Sequence, residues 1–122
     1  TFNECKLIGV DFQYCMNFLR SFAFHDCNLN FSSFYKLKIN KTIFNDCFMH
    51  EVDFAEADLS GAVFKGSDLM NAVFDQTILR SGDFRGSFNY QIDPSKSVVR
   101  KATFSKDGIA GLLGAFDIII EP

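Results

Sequence analysis

The chain has 122 residues and a formal net charge of −3, and its 16 phenylalanines occur without any tryptophan. This length predicts a single domain, and the negative charge argues against direct nucleic-acid binding, which needs an excess of Lys and Arg. No stretch approaches the roughly 20 apolar residues of a membrane span, and no signal-peptide pattern is visible.

The first residues place large apolar side chains at every fifth position, namely Phe2, Leu7 and Phe12. Because the chain opens inside this series and without an initiator Met, we expect it to be a truncated product. The same series returns further along in a register shifted by two positions. We therefore predict a two-residue bulge at a corner of the fold, within residues 13–18.

From Phe24 to Phe84 a large apolar residue returns at every fifth position, with a small residue two positions before most of them. Neither a helix nor an ordinary strand has this period, which indicates a repeat architecture. Because Phe alternates with aliphatic residues, the full period is twenty residues. Four inward columns follow: Phe24, Phe44, Phe64 and Phe84; Leu29, Met49 and Leu69; Phe34, Phe54 and Phe74; Ile39, Leu59, Leu79 and Val99.

Four five-residue units in each twenty-residue period predict a square coil that advances about 4.8 Å, one strand spacing, per turn. Gly61, Gly66 and Gly86 fall at its corners, where a positive φ is expected. Units such as Ala57-Asp58-Leu59-Ser60-Gly61 resemble the pentapeptide-repeat family over about residues 2–88. The resemblance implies an all-β solenoid, a right-handed quadrilateral β-helix, and the handedness rests on the resemblance alone.

Residues 1–88 are therefore predicted to form the β-helix, and residues 89–122 a C-terminal capping segment. Within this segment Ala102-Thr103-Phe104 returns briefly to the repeat, and Ser105 is a candidate N-cap. A helix is predicted at about 106–115, with an apolar stripe of Ile109, Leu112, Leu113 and Phe116, followed by a strand at about 117–121. The candidate homodimer contact consists of Phe116, Ile118, Ile119 and Ile120.

Three of the four cysteines, Cys5, Cys27 and Cys47, occupy small inward positions, and Cys15 lies at the bulge. We interpret them as buried free thiols, although disulfides between adjacent turns are conceivable from the spacing. Free buried thiols favour a reducing, cytoplasmic location. No close cysteine pair predicts a zinc site.

The sequence offers no catalytic set, because His25 and His50 fall at separate outward positions and no phosphate-binding loop precedes a helix. We therefore expect a protein that is not an enzyme and that has no cofactor.

Acidic residues are the strongest sign of a binding surface. Between residues 24 and 84 there are nine acids against five bases, and residues 46–58 hold five acids without a base. Such a surface could occupy a basic groove built for DNA. Alternatively, the charge keeps the surface solvated, with Lys36 paired to Glu56 and Lys38 to Asp58. The candidate acidic face consists of Asp46, Glu51, Asp53, Glu56, Asp58 and Asp68.

Two functions remain open. The Phe-rich columns and the exit segment from Phe88 to Pro94 resemble the quinolone-resistance (Qnr-type) branch of the family. That resemblance implies a dimeric DNA mimic that binds DNA gyrase or topoisomerase IV and protects it from quinolones, an antibiotic-resistance function. The alternative is a structural or assembly repeat module of unknown partner, without topoisomerase activity.

Overall fold

The computed structural model describes residues 1–14 and 22–122. The predicted bulge within 13–18 falls mostly outside these residues, as do Cys15 and Leu19. Residues on either side of it pair with an offset of 22, since Phe2 lies opposite Phe24 and Asp11 opposite Ser33. This offset is two residues longer than the twenty-residue step that holds further along the chain.

Parallel pairing between residues twenty apart organises the backbone. Short strands β1 (Phe2–Asn3), β2 (Ala23–His25) and β3 (Ile43–Asn45) form one sheet, and β4 (Asp83–Phe84) pairs with β5 (Thr103–Phe104) in another. Isolated bridges such as Lys38↔Asp58 and Ile78↔Val98 continue the same step between the strands. Each twenty-residue turn therefore lies one strand spacing, about 4.8 Å, from the next. Among the residues described, no helix is long and apolar enough to cross a membrane.

Each turn consists of four five-residue segments, which we number as sides. Side 1 comprises 22–26, 42–46, 62–66 and 82–86; side 2 comprises 27–31, 47–51, 67–71 and 87–91; side 3 comprises 32–36, 52–56 and 72–76; side 4 comprises 37–41, 57–61, 77–81 and 97–101. In the offset first turn, residues 1–4, 5–9 and 10–14 align with sides 1, 2 and 3.

The predicted columns form the core, and their side chains are buried from Phe24 to Phe84. Rings on side 1 stack on one another, as Phe24 and Phe44 do with centroids 5.3 Å apart, and rings on side 3 do the same. Rings of the two sides meet edge to face, as Phe44 and Phe54 do at 5.8 Å. Sides 2 and 4 therefore lie on opposite flanks of this aromatic stack.

Small inward residues hold adjacent turns together with hydrogen bonds. The hydroxyls of Ser67 and Thr77 donate to the carbonyls of Phe44 and Phe54, at 2.8 and 2.9 Å. The thiol of Cys47 donates in the same way to the carbonyl of Phe24 at 3.4 Å, and burial raises its pKa to about 12. Cys5, Cys27 and Cys47 are free thiols. Cys27, whose thiol donates to the carbonyl of Phe2 at 3.3 Å, and Cys47 therefore take the place that Ser and Thr take elsewhere in the fold. Cys5, predicted to be buried, is only partly buried.

The last residue of most segments turns the corner with a left-handed backbone. Gly61, Gly66 and Gly86 have positive φ, as predicted. Asp46 and Glu51 adopt the same conformation without the freedom of glycine, with φ of 55° and 57°. This conformation costs a residue with a Cβ about 1–2 kcal/mol. The corners therefore accept many residue types at some cost in stability.

The C-terminal segment corrects three predictions. Two short 3₁₀ helices, Lys106–Leu112 and Gly114–Phe116, replace the predicted helix at 106–115, and no strand forms at 117–121. A 3₁₀ helix has three residues per turn, and the glycines at 108, 111 and 114 share this period. They pack on Tyr90 and Gln91, where a Cβ would collide. The Ser105 hydroxyl accepts a hydrogen bond from the Gly86 N–H and does not cap the helix.

Because the glycines set the contact, the predicted apolar stripe is only partly buried. Leu112 packs against the core, whereas Ile109 and Phe116 are 46% and 61% exposed. Tyr90, within the exit segment from Phe88 to Pro94, is buried beside Phe84 and Phe104.

Gly111→Ala is expected to lower the free energy of unfolding by about 1–3 kcal/mol, as overpacking does in a core. Its new methyl group would collide with the Tyr90 carbonyl, and the Gly111 carbonyl accepts a hydrogen bond from Ile92 at 2.8 Å. Thermal and denaturant unfolding measure the change. Ala110→Ser, a similar addition at an exposed neighbour, is the control, and equal stability of the two variants would contradict the packing described.

Candidate protein-binding surfaces

The six acids of the predicted face do not lie on one surface. Because residues 46–58 wind around most of one turn, consecutive acids point in different directions. Asp46 ends side 1, Glu51 and Asp68 lie on side 2, Asp53 and Glu56 lie on side 3, and Asp58 lies on side 4. The prediction of a single acidic face from these six residues is therefore wrong.

Three of these acids also stabilise the local backbone. Each precedes the large inward residue, and its carboxylate accepts a hydrogen bond from the N–H two residues further on. The distances are 2.8 Å for Asp53 to Ala55, 3.0 Å for Asp58 to Ser60 and 3.2 Å for Asp68 to Met70. Asp or Asn at this position is thus explained by turn chemistry, without a partner.

An acidic surface nevertheless exists, bordered by Lys65 and Arg85 in the depression that Asp46 lines, and it includes two residues that the sequence reasoning missed. Glu4, Asp26 and Asp46 stack in successive turns at the corner between sides 1 and 2, and all three are exposed. Glu51 and Asp68 extend this surface across side 2. We call these five residues the acidic side. Side 2 and the corner before it comprise residues 4–9, 26–31, 46–51 and 66–71, and Lys6 is the one Lys or Arg among them. Applying the same step between turns to the outward residues, as was done for the inward columns, would have predicted the stack of Glu4, Asp26 and Asp46.

Asp68 is the most enclosed carboxylate of the acidic side, with its side chain 12% exposed. Burial by itself would raise its pKa, but hydrogen bonds from the side chains of His50 and Asn89 and the N–H of Met70 hold the pKa below its usual value. The His50 Nε2 lies 2.6 Å from a carboxylate oxygen, and the Asn89 amide donates at 2.9 Å. His50 is therefore tied to Asp68, and it is not the isolated surface residue that the sequence predicted.

Asp68→Asn is expected to lower the free energy of unfolding by about 1–3 kcal/mol near pH 7, as loss of a charge-assisted hydrogen-bond acceptor does. A lowered pKa in the folded state stabilises the fold above the unfolded-state pKa, and this contribution disappears as pH falls through the folded-state pKa. The gap between wild type and variant should therefore narrow below about pH 4.

Urea unfolding at several pH values measures this gap. Asp75→Asn, at an exposed carboxylate of side 3, is the control for the change in charge. A gap that stays constant down to pH 2.5, or an equal loss in the control, would contradict the network.

The flank opposite the acidic side is basic. We call Lys38, Lys41, Arg80, Arg100 and Lys101 the basic side; all five are exposed, and Asp58 is the one acid within side 4. The predicted pairing of Lys38 with Asp58 and of Lys36 with Glu56 is not formed. The Asp58 carboxylate accepts from Ser60, and Glu56 accepts from the Tyr35 hydroxyl at 2.9 Å. Within 1–14 and 22–122, the ion pairs are His50–Asp68 and Arg85–Asp83.

The predicted dimer contact lies on the surface of the single chain. Ile118 and Ile120 are each 54% exposed and Ile119 is 87% exposed. For the described part of the chain, no group of three or more His, Cys, Asp or Glu side chains is arranged to hold a metal ion.

Residues 47–86 match the family model described as Pentapeptide repeats, in eight copies. Among solved structures, QnrB1 (R167E, trypsin treated), a plasmid-mediated fluoroquinolone resistance protein, is similar with a TM-score of 0.74 and 16% identity, over 98% of this chain and 58% of that one. HetL, a pentapeptide repeat protein involved in heterocyst differentiation regulation from Nostoc sp. strain PCC 7120, is similar with a TM-score of 0.64 and 20% identity, over 82% of this chain and 46% of that one.

These similarities establish a shared fold, and this chain spans about half the length of both structures. No protein with a curated description matches the sequence.

Proposed function

Because residues 47–86 match the pentapeptide-repeat family model, we propose that the chain is a non-enzymatic protein-binding protein of that family. Its acidic side enters a basic groove that otherwise holds DNA, and DNA gyrase or topoisomerase IV supplies that groove. The protein thereby protects the topoisomerase from quinolones. Such a partner places the protein in the cytoplasm.

The stack of Glu4, Asp26 and Asp46 carries this proposal. Backbone bonds such as Glu4 N–H to His25 carbonyl (2.9 Å) and Asp26 N–H to Asn45 carbonyl (3.0 Å) fix the three residues in successive turns. Their backbones therefore lie about 4.8 Å apart, a spacing of the same order as the 3.4 Å rise per phosphate along each DNA strand. Like charges in adjacent strands are destabilising, so the stack does not serve the stability of the fold.

The overall geometry supports the same proposal. We propose that the stacked turns form the right-handed quadrilateral β-helix of the family, a rigid rod that holds the acidic side in a straight line. The structural likeness to QnrB1 extends over nearly the whole of this chain. The exit segment from Phe88 to Pro94, which resembles the quinolone-resistance branch of the family, is our reason for naming a topoisomerase ahead of other proteins with DNA-binding grooves.

Gyrase supercoiling with ciprofloxacin, with and without this protein, tests the proposed function. Rescue of supercoiling at a few-fold molar excess over gyrase is expected. Absence of rescue by a folded protein, even at a large molar excess over gyrase, would contradict topoisomerase protection.

A second candidate function is self-association by an assembly module, which the exposed Phe116 and Ile118–Ile120 favour. These side chains would bury their apolar surface against a second copy of the chain, giving a homodimer. Gel filtration across a range of concentrations tests this contact. A chain that remains monomeric throughout would contradict it, whatever the outcome of the supercoiling assay.

A further inference from the structure

The basic side contains a cleft in which three cationic side chains converge. Arg80, Arg100 and Lys101 line this cleft of about 200 Å³. Arg80 and Arg100 belong to successive turns, since the Ser81 N–H donates to the Arg100 carbonyl at 3.0 Å and Ile78 pairs with Val98. The two arginines therefore lie opposite each other in adjacent turns and line the same cleft.

The fold does not neutralise this charge. The carboxylate of Asp58, the acid of side 4, accepts hydrogen bonds from the N–H and the hydroxyl of Ser60, at 3.0 and 2.6 Å. Neither arginine of the cleft is in the ion pairs of the described residues. Like charges directly opposite in neighbouring strands are destabilising, so stability does not explain the arrangement. An anionic ligand would relieve the repulsion and satisfy the planar donors of both arginines.

Lys41 extends the positive charge along the same flank. Gly61, one turn further on, has no side chain, and the Lys41 stem lies across it, 3.2 Å from where a Cβ would be. This path directs Lys41 along the stack of turns, towards the turn that contains Arg80.

In the last two turns the neighbouring outward column is apolar, whereas Lys38 and Asp58 occupy it in the two turns before. Ile78 and Val98 are 37% and 39% exposed, and they stack in the same two turns as Arg80 and Arg100. On an extended backbone, residues two positions apart lie on the same face about 7 Å from each other. The cations are therefore flanked by an apolar strip, and a ligand that uses both needs negative and apolar groups close together.

Side 4 lacks the aromatic side chains on which single-stranded nucleic acid stacks. The acids on the rest of the surface, with the net charge of −3, also oppose a long polyanion. A peptide segment with acidic and apolar side chains fits the surface better than nucleic acid does.

We propose that Arg80, Arg100 and Lys101, together with Ile78 and Val98, form a second binding surface for an extended protein segment that alternates acidic and apolar residues. This surface lies on the flank opposite the acidic side. Its occupation is independent of topoisomerase binding.

Fluorescence anisotropy with a labelled peptide of about twelve residues that alternates Glu and Leu tests this surface directly. Two further peptides of the same length alternate Lys and Leu, or Glu and Ser, and labelled single-stranded DNA is a fourth probe. The Glu–Leu peptide is expected to bind most tightly. Tighter binding of the DNA, or no binding of the Glu–Leu peptide, would overturn the proposal.

Arg80→Glu with Arg100→Glu is expected to weaken binding of the Glu–Leu peptide at least about tenfold. Lys65→Glu with Lys106→Glu makes the same change in net charge at exposed positions away from side 4, and it should leave binding within about twofold. Equal losses in the two double variants would overturn the proposal. Thermal unfolding of both proteins verifies their fold, and gyrase rescue by the Arg80/Arg100 variant separates this surface from the proposed function.

Discussion

Phe54→Ala is expected to lower the free energy of unfolding by about 3–5 kcal/mol, as phenylalanine truncation does in a tightly packed core. The Phe54 ring stacks on Phe34 and Phe74, each with centroids 5.3 Å away, and it meets Phe44 and Phe64 edge to face at 5.8 Å. Its side chain is fully buried. Truncation would therefore break the side 3 stack and remove contacts to the side 1 stack.

Phe48→Ala is the matched control, because it removes the same atoms from a ring that is 55% exposed. We expect a loss below about 1 kcal/mol in this variant, since little burial is lost. Denaturant unfolding followed by circular dichroism compares the two. A repeat array is stabilised mainly through nearest neighbours, so Phe54→Ala should also broaden the transition. Similar midpoints for the two variants would show that the ring stack does not carry the stability.

Reversing the charge of the acidic stack is expected to abolish rescue of gyrase from ciprofloxacin. The triple variant changes Glu4, Asp26 and Asp46 to Lys. All three lie at exposed corners with positive φ, a conformation that Lys36, Lys41 and Lys101 adopt elsewhere in this chain. The fold should therefore tolerate the substitutions, whereas a basic groove would repel the new surface.

The control for the triple variant changes Asp75, Asp107 and Glu121 to Lys, which alters the net charge equally at exposed positions outside the acidic side. It should retain rescue, apart from a modest slowing of association through the change in overall field. Supercoiling at a fixed ciprofloxacin concentration reads out both proteins. Full rescue by the acidic-stack variant would show that these carboxylates do not contact gyrase.

The core could be predicted from the sequence because its period is strict. A large residue at every fifth position can bury one face only if units stack, and the alternation of Phe with aliphatic residues sets the twenty-residue step. The pairing of Phe84 with Phe104 follows from the same arithmetic. The inward positions are those of the large apolar residues at five-residue spacing, so they can be predicted before the structure is known.

The binding surface was less predictable, because neighbours in sequence are not neighbours on the surface. Asp46, Glu51 and Glu56 follow one another at intervals of five, and the fold sends them to three successive corners. Asp46 instead has Asp26 beside it, twenty residues away. Ion pairs were predicted from register alone, but the carboxylates of Asp58 and Glu56 accept hydrogen bonds from the hydroxyls of Ser60 and Tyr35 instead. Side-chain choice among several donors cannot be obtained from spacing.

The end of the chain was misread for a different reason. The apolar residues between 109 and 116 fit a period of 3.6, while the glycines between 108 and 114 fit a period of three. The segment forms 3₁₀ helices, with three residues per turn, because Tyr90 is buried beneath it and only glycine allows the backbone to approach the Tyr90 ring. Burial of Tyr90 depends on contacts with Phe84 and Phe104, which a local pattern does not contain.

Displacement of labelled duplex DNA from gyrase by this protein tests most directly whether the acidic side occupies a DNA groove. Fluorescence anisotropy of the DNA is followed as the wild-type chain, the acidic-stack variant or its charge-matched control is added. We predict that the wild type and the control release the DNA, while the acidic-stack variant leaves it bound. DNA that remains bound at saturating wild-type protein, or release by all three proteins alike, would contradict groove occupation by the acidic side.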